Sequence, residues 1–275
     1  MAYTLEDEFG DIIGKARRGN GLSIGAVAAG AGITEAQLSQ MEDYTLKPTE
    51  DQVHKIAECL NLNGARLADI AMERWGPAPV PPGYDDALEV FTITADVGGW
   101  PVHAYLLVCK ATNEAAIIDT AAHPNDVLQK VEETGVNPTS ILLTHAHGDH
   151  ANGLMEIERA TGCPTYIHAQ EPQPRSTQEF RLLNHGDDVA VGNLSVKTLD
   201  TPGHTPGGCS FHTRSTVIVG DALFAGSVGG ANISYTDLLS GVKNYLLSLP
   251  DDTKLFPGHG PATTVGEEKA HNPFF

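Results

Sequence analysis

The sequence predicts an α+β protein in which a small all-α domain precedes a larger domain of packed sheets with helices outside. Three observations lead to this prediction. Apolar residues recur at helical spacing over about the first 75 residues, a proline-rich stretch follows, and short apolar runs typical of strands begin near Ala87. We therefore expect a helical domain at residues 1 to 75, a linker at 76 to 86 and a second domain at 87 to 275.

The composition limits the possible functions. The 275 residues include 17 Lys and Arg against 35 Asp and Glu, a net charge of -18. Such an excess of negative charge disfavours general binding to nucleic acid or to an anionic membrane. The first residues lack the basic and apolar regions of a signal peptide, and no apolar run approaches the roughly 18 residues of a spanning helix. We expect a cytoplasmic protein with reduced thiols, since the four cysteines form no C-x-x-C pair.

Short helices are predicted throughout the first domain. Ser23 and Thr34 are suitable N-caps, and Gly30-Ala31-Gly32 is expected to form a turn. The apolar spacing predicts helices at residues 9 to 16, 22 to 29, 34 to 41 or 42, 53 to 60 and 67 to 72.

The linker cannot continue a helix, because four of residues 76 to 83 are prolines. Its composition favours an extended polyproline conformation, so we expect a semi-rigid spacer. A proline-rich recognition site for a partner is the alternative.

Strands dominate the second domain and helices interrupt them, which indicates packed sheets with helices on the outside. Pro124 is expected in the first turn of the first of these helices. The predicted strands are residues 88 to 94, 102 to 109, 115 to 118, 140 to 143, 164 to 168, 189 to 191, 194 to 199, 217 to 219 and 255 to 256, with one near Phe211; the predicted helices are 123 to 134, 151 to 161 and 236 to 247.

A histidine-rich motif, Thr-His-Ala-His-Gly-Asp-His, occupies residues 144 to 150 at the end of a predicted strand. His145 and His147 lie two apart and point to the same side of an extended chain, whereas Asp149 and His150 follow a glycine and can turn toward a second point. One segment can therefore serve two metal ions. The alternative is a histidine-rich surface turn.

Three later segments complete this chemistry. His204 lies in a Gly/Pro turn after a strand, Asp221 ends a strand, and His259 lies in a second Gly/Pro turn. Each alone is more typical of a hydrogen-bonding residue than of a metal ligand. Outside these motifs, His168 is expected to be a structural hydrogen-bonding residue and His103 is a candidate for the rim of a pocket.

These motifs, in this order, resemble those of the metallo-β-lactamase fold superfamily, and most closely the short bacterial glyoxalase II-like hydrolases. The resemblance extends to Gly-Glu-Glu-Lys-Ala-His-Asn-Pro-Phe at residues 266 to 274. It implies an αββα sandwich with a two-metal site. It also implies ligands for each ion: His145, His147 and His204 for the first, Asp149, His150 and His259 for the second, with Asp221 bridging them.

The implied chemistry is hydrolysis. Imidazole and carboxylate ligands suit two zinc ions, with iron or manganese as alternatives. Two such ions lower the pKa of a bridging water from about 16 toward 7, so that a hydroxide attacks a polarised carbonyl. Asp149 is the candidate catalytic residue, because a carboxylate beside the hydroxide can relay a proton to the leaving group.

A small thioester is the expected substrate. Glutathione thioesters are disfavoured, because the C-terminal helical domain of full-length glyoxalase II enzymes is missing. In addition, Gly229-Gly230-Ala231-Asn232 stands where close relatives carry Gly-Arg-Thr-Asp. The alternatives are a lactonase or other ester or amide hydrolase, a mononuclear-iron persulfide dioxygenase, and a ligand-sensing regulator that binds DNA.

The first domain resembles the helix-turn-helix domains of the Cro and phage-repressor family over about 65 residues. The resemblance rests on the apolar positions, Gly-Ile-Thr at residues 32 to 34, and Glu42. It implies that the major groove would be faced by Thr34, Glu35, Gln37 and Gln40. Residues 20 to 46 contain no Lys or Arg, however, and residues 1 to 75 hold 7 basic against 12 acidic residues, a charge of -5. We therefore expect dimerisation or docking rather than DNA binding, and a homodimer.

Overall fold

A computed structural model describes residues 5 to 81 and 83 to 275 of the chain. The first four residues, part of the segment from which the lack of a signal peptide was inferred, lie outside the described residues. So does Pro82, in the predicted linker.

Five helices form the N-terminal part of the molecule. They enclose an apolar core that includes Ile12, Leu38, Ile56 and Leu67. Side chains of Ser23, Thr34 and Thr49 accept backbone hydrogen bonds and so cap three of the helices. The helices are α1 (Phe9–Gly19), α2 (Ile24–Ala31), α3 (Glu35–Glu42), α4 (Glu50–Leu60) and α5 (Gly64–Ala71).

The second helix differs from its prediction at both ends. It begins at Ile24, because Ser23 is its N-cap and accepts a hydrogen bond from the Ala26 amide. It continues to Ala31, and Gly32 ends it with a left-handed φ of 69°. The predicted turn at residues 30 to 32 is therefore confined to Gly32.

Two six-stranded mixed sheets and one small hairpin follow. The first sheet has the order β1-β2-β3-β4-β5-β6 and the second β14-β13-β10-β9-β8-β7, while β11 and β12 pair with each other. In chain order the strands are β1 (Leu88–Val97), β2 (Trp100–Cys109), β3 (Glu114–Ile118), β4 (Asn137–Leu142), β5 (Thr165–His168), β6 (Arg181–Leu183), β7 (Asp188–Val191), β8 (Leu194–Asp200), β9 (Cys209–Thr213), β10 (Thr216–Gly220), β11 (Leu223–Phe224), β12 (Ser227–Val228), β13 (Lys254–Pro257) and β14 (Thr263–Thr264).

The sheets pack face to face, with helices on both outer surfaces. Leu107 of β2 and Phe211 of β9 belong to the apolar layer between the sheets. Val127 and Leu154 pack on the outside of the first sheet, and Leu238 on the outside of the second. The helices are α6 (Pro124–Thr134), α7 (Gly148–Ala151), α8 (Leu154–Thr161), α9 (Tyr235–Gly241) and α10 (Val265–His271). This is a helix-sheet-sheet-helix sandwich.

Three predicted elements differ in the structure. The helix expected at 151 to 161 is two pieces, because α7 ends at Ala151 and α8 starts at Leu154. The helix expected at 236 to 247 changes at Val242–Leu246 into a π-helical turn. The loop after His168 contains β6, an edge strand of three residues that is too short to show a periodicity. All four cysteines are free.

The helical part contacts the sandwich directly. The Asn63 amide donates to Pro273 O at 2.8 Å, and Arg66 donates to Asn272 O at 3.1 Å. Trp75 stacks on His271 with ring centroids 4.9 Å apart. The division into domains stays a prediction. Among the described residues, no helix is both long enough and apolar enough to cross a membrane.

Candidate metal centre

The histidine-rich motif follows β4, at one edge of the sandwich. His145 and His147 precede the short helix α7, and Asp149 and His150 lie within it. The other three predicted ligands also follow strands, His204 after β8, Asp221 directly after β10 and His259 after β13. Segments that are far apart in sequence thus meet where strands of both sheets end.

The structure brings all seven predicted ligand side chains together. His204 Nε2 lies 2.9 Å from His147 Nδ1 and 3.4 Å from Asp221 Oδ2. His259 Nε2 lies 3.4 Å from Asp149 Oδ2 and 3.5 Å from Asp221 Oδ2. Ligand atoms within 4.8 Å of one another form three overlapping groups: His145, His147 and His204; His145, His150 and Asp221; and Asp149, His150 and His259. His145 belongs to two groups, whereas the resemblance placed it with the first ion alone.

Buried atoms at the centre lack hydrogen-bond partners. Among the described residues, no partner reaches His145 Nε2, His150 Nε2 or Asp221 Oδ1. Leaving such atoms unsatisfied costs about 1 to 3 kcal/mol each. Divalent cations would satisfy all three, and a set of imidazoles and carboxylates suits zinc, iron or manganese. The clusters therefore indicate a dinuclear metal site.

The electrostatics of the centre also suit cations. Burial, followed by the charge of His150, holds the pKa of His145 well below its ordinary value, so Nε2 keeps a free lone pair at neutral pH. Burial alone would raise the pKa of Asp221, but the charge of His150 and close contacts with His150 and His259, at 3.4 and 3.5 Å, hold it well below the ordinary range. A buried anion thus lies beside the neutral imidazole of His145.

Three of the histidines are held in place by contacts of Nδ1, the ring nitrogen that faces away from the centre. Asp119 lies within 2.9 Å of His150 Nδ1, and it accepts from the Thr144 amide and hydroxyl at 2.8 and 2.7 Å. His204 Nδ1 lies 2.7 Å from Gly230 O, and His259 Nδ1 lies 2.7 Å from Pro101 O. With Nδ1 held on the outside, Nε2 of these rings faces the centre.

Glu171, which was not predicted as a site residue, is buried in the loop after β5. Its carboxylate accepts hydrogen bonds from the Ala146 and Gly207 amides, both at 2.8 Å, and so joins the two loops that carry His147 and His204. Asp119 directly follows the strand predicted at residues 115 to 118. A carboxylate at the end of a strand could have been predicted to support the site, as Asp119 does. No sequence pattern near Glu171 indicated its role.

Glycine is required beside Asp221. A Cβ on Gly258 would collide with Asp221 Oδ1 and with the His150 ring, and a Cβ on Gly229 would collide with Asp221 O. Gly258, directly before His259, and Gly229, directly after β12, therefore allow backbone to approach Asp221 closely.

The two remaining candidates are not among the seven clustered side chains. His168 Nε2 contacts Asp200 Oδ1 at 3.1 Å, as expected of a structural residue. His103 Nε2 lies 2.9 Å from Gly260 O and borders a large cavity.

The predicted DNA-facing residues lie at the start of α3. The Gln37 amide donates to Thr34 Oγ1, and Gln37 Oε1 accepts from the Thr34 amide at 2.9 Å. Two of the four side chains are therefore engaged in capping the helix. Glu35 and Gln40 are exposed.

The four-layer sandwich and the cluster of histidines and aspartates at its edge are those of a metallo-hydrolase. Residues 97 to 259 match the Metallo-beta-lactamase superfamily. The chain belongs to this superfamily. The match begins beyond the five N-terminal helices.

Two curated proteins and one solved structure illustrate the similarity. The probable metallo-hydrolase YqgX of Bacillus subtilis is 31% identical over 200 residues, 65% of this chain and 94% of that protein. Hydroxyacylglutathione hydrolase GloC of Haemophilus influenzae is 31% identical over 201 residues, 63% of this chain and 95% of that protein. The structure of TTHA1623 in a di-iron-bound form is 32% identical, with a TM-score of 0.60, over 67% of this chain and 100% of that one.

Proposed function

We propose that the protein is a dinuclear metal-dependent hydrolase that cleaves a small thioester, in the manner of glyoxalase II-like enzymes. The observation that carries the proposal is the convergence of seven donor side chains, three atoms of which have no hydrogen-bond partner among the described residues: His145 Nε2, His150 Nε2 and Asp221 Oδ1. We assign His145, His147 and His204 to one ion and Asp149, His150 and His259 to the other, with Asp221 between them.

Zinc is the proposed metal. Five imidazoles and two carboxylates without a thiolate also suit iron and manganese, and a relative has been solved with two irons bound. Elemental analysis of the purified protein distinguishes these metals.

The mechanism requires residues that hold the site and one that moves a proton. Divalent ions in this site supply Lewis-acid activation of water and of the attacked carbonyl. Asp119 and Glu171 hold the ligand loops in position. Asp149 has 32% of its side chain exposed, against 11% for His204 and for His259, so it faces the substrate side most openly. We propose that Asp149 accepts a proton from the attacking water and passes it to the leaving group.

A thioester is favoured over other carbonyl compounds by similarity. GloC, named a hydroxyacylglutathione hydrolase, aligns over nearly its whole length. Glutathione itself is disfavoured, because the loop at residues 229 to 232 offers no cationic side chain and contributes Gly230 O to the His204 ring instead. We therefore propose a thioester whose thiol part is not glutathione.

Three alternatives make different predictions. A lactonase or another ester or amide hydrolase would use the same two ions. A persulfide dioxygenase would need one iron, but the group formed by Asp149, His150 and His259 offers a second set of ligands. A ligand-sensing regulator would bind without turnover. Oxygen uptake with a persulfide would replace our proposal by the dioxygenase.

The test is an assay of protein loaded with two ions per chain, as measured by elemental analysis. The substrates are lactoylglutathione, acyl-thioesters of neutral thiols, lactones and a β-lactam. We expect turnover of neutral thioesters above that of lactoylglutathione. Protein with both ions bound that turns over no thioester would refute the thioesterase proposal.

We further propose that the five-helix region is a helix-turn-helix-like domain that pairs two chains in the cytoplasm rather than binding DNA. The engagement of Thr34 and Gln37 in a capping box supports this, as does the absence of cations from residues 20 to 46. Light scattering should give twice the chain mass of 29.1 kDa. A shift of specific duplex DNA at physiological salt, abolished by Gln37→Ala, would contradict the proposal.

A further inference from the structure

A cavity of about 840 Å³ opens between the two sheets beside β1. Its walls come from four segments: the residues before α1, the proline-rich linker, strands β1 and β2, and the loop after β13. The side chains that contribute include Leu5, Val80, Val90, Tyr105 and Phe256. We call it the edge cavity. It is large enough for a small organic molecule.

The edge cavity adjoins the metal centre through the loop that carries His259. Gly260 follows His259 directly and lines the cavity, and Pro101, which also lines it, accepts the contact from His259 Nδ1 at 2.7 Å. His103 contacts Gly260 O from the cavity wall. A residue that lines the cavity is therefore the immediate neighbour in sequence of a proposed metal ligand.

The charged groups of the edge cavity are all acidic. Glu6 and Glu89 line it, and among the described residues neither Lys nor Arg does. Within the described ranges, no hydrogen bond or ion pair reaches the half-buried carboxylate of Glu6. A Cβ on Gly260 would lie 2.8 Å from Glu6 Cβ, so the glycine lets the segment that carries Glu6 lie against the His259 loop.

Hydrogen bonds fix the walls that come from outside the matched family region. Asp7 contacts Ser227 and Lys15, and Lys15 donates to Val228 O at 2.9 Å. The linker is held by a 2.7 Å contact between Ala78 N and Glu267, and at its end by one between Tyr84 and Thr216. Glu6 and residues 79 to 92 lie before residue 97, where the family match starts. The cavity is therefore partly built from residues beyond that match.

We propose that the edge cavity binds the apolar part of the substrate and that Glu6 is a specificity residue that excludes anions. The preferred ligand is a neutral or cationic molecule with an apolar group, attached to the carbonyl that reaches the metal centre. An unpaired carboxylate in a low-dielectric cavity repels a ligand anion and favours a cation or hydrogen-bond donor. This proposal rests on the proposed hydrolase function for its choice of ligand.

The first test measures binding without turnover. Two fluorescent probes share one aromatic framework: N-phenyl-1-naphthylamine is neutral, and 8-anilino-1-naphthalenesulfonate carries a sulfonate. We expect the neutral probe to bind full-length protein about tenfold more tightly than the anionic one. Glu6→Gln should narrow this ratio toward one, whereas Glu179→Gln, an exposed position outside the cavity, should leave it unchanged.

A second variant tests the cavity by filling it with a large side chain. Thr92 is exposed on β1 and lines the cavity, so Thr92→Trp should abolish binding of the neutral probe. Ala190 is an exposed residue of β7 outside the cavity, so Ala190→Trp adds the same side chain elsewhere and should not change binding of the neutral probe. Equal probe affinity in these two variants, with metal content and unfolding midpoint unchanged, would overturn the proposal.

Turnover then separates this proposal from the proposed function. Butyryl and succinyl thioesters of N-acetylcysteamine differ by one carboxylate, and we expect kcat/KM to favour the butyryl compound by about tenfold in wild type and less in Glu6→Gln. A ratio of one in wild type would overturn the role of Glu6. If no thioester reacts, the hydrolase proposal fails, and the probe experiment still decides whether the cavity selects neutral ligands.

Discussion

Functional predictions were made for two segments of the sequence, the loop at residues 144 to 150 and the start of α3. The two segments differ in whether their polar atoms have hydrogen-bond partners. In α3, Thr34 and Gln37 satisfy each other in a capping box. In the loop, His145 Nε2 and His150 Nε2 are buried and have no hydrogen-bond partner among the described residues. Because an unsatisfied buried polar atom is costly, the first arrangement stabilises a helix and the second indicates an ion.

Of the variants proposed here, replacement of His147 should change metal content and turnover the most. The ring lies 2.9 Å from His204 in one of the proposed ion sites. We expect His147→Ala to lower metal content, and turnover on the order of 100-fold or more, while circular dichroism stays unchanged. His54→Ala is the control. His54 is an exposed residue of α4, and its replacement should change neither metal content nor turnover. Unfolding of His147→Ala would mean that the ions have a structural role.

Glu171 tests whether the loops around the ions need support. Removing its carboxylate leaves the amides of Ala146 and Gly207 without an acceptor. We expect Glu171→Ala to weaken metal affinity by about 10- to 100-fold, as measured by competition with a chelator. Glu179→Ala, exposed in the same loop, should have no effect. Equal affinities in both variants would show that the loops hold their geometry without Glu171.

Glu268 lies outside both segments. Its carboxylate is buried, and its oxygens have hydrogen-bond partners. It accepts from Thr263 and Asn272, yet burial raises its pKa from 4.5 to about 7. Between these values the folded state keeps a proton that the unfolded chain has released. Its contribution to the free energy of unfolding is therefore complete below pH 4.5 and is lost as the pH rises through 7.

The measurement is urea unfolding of wild type and Glu268→Gln at several pH values. Their difference in unfolding free energy should fall by about 3 kcal/mol from pH 4.5 to 7, because one pKa unit corresponds to about 1.4 kcal/mol. Contributions of the metal ligands cancel in this difference. A difference that is constant with pH would mean that the pKa of Glu268 in the folded protein is not raised above 4.5.

The smallest expected effect concerns α3. Thr34→Ala removes an N-cap and should cost about 1 kcal/mol of stability, with metal content and activity unchanged. Thr49→Ala is a matched control, because Thr49 and Gln52 form the same capping box at α4. Similar losses in the two variants would support a structural role for Thr34. A loss of duplex DNA binding in Thr34→Ala alone would favour the DNA-facing role that the family resemblance implied.

The sequence was sufficient for features that depend on neighbouring residues. Helical spacing of Ile12, Leu38 and Ile56 indicated the helical region, and the apolar runs indicated most strands of the sandwich. The residue types and order of the histidine motifs indicated a two-ion site. Such signals are local, because a helix turn or a strand face repeats within a few residues.

Only the tertiary structure decided which groups support and surround the site. Glu171 is 25 residues from Ala146 and 36 from Gly207, and Arg66 is 206 residues from the carbonyl of Asn272 that it contacts. The edge cavity likewise needs Glu6, the linker and β13 together. A hydrogen bond or a cavity wall depends on distance in space, and the chain brings such residues together only when its sheets and loops have packed.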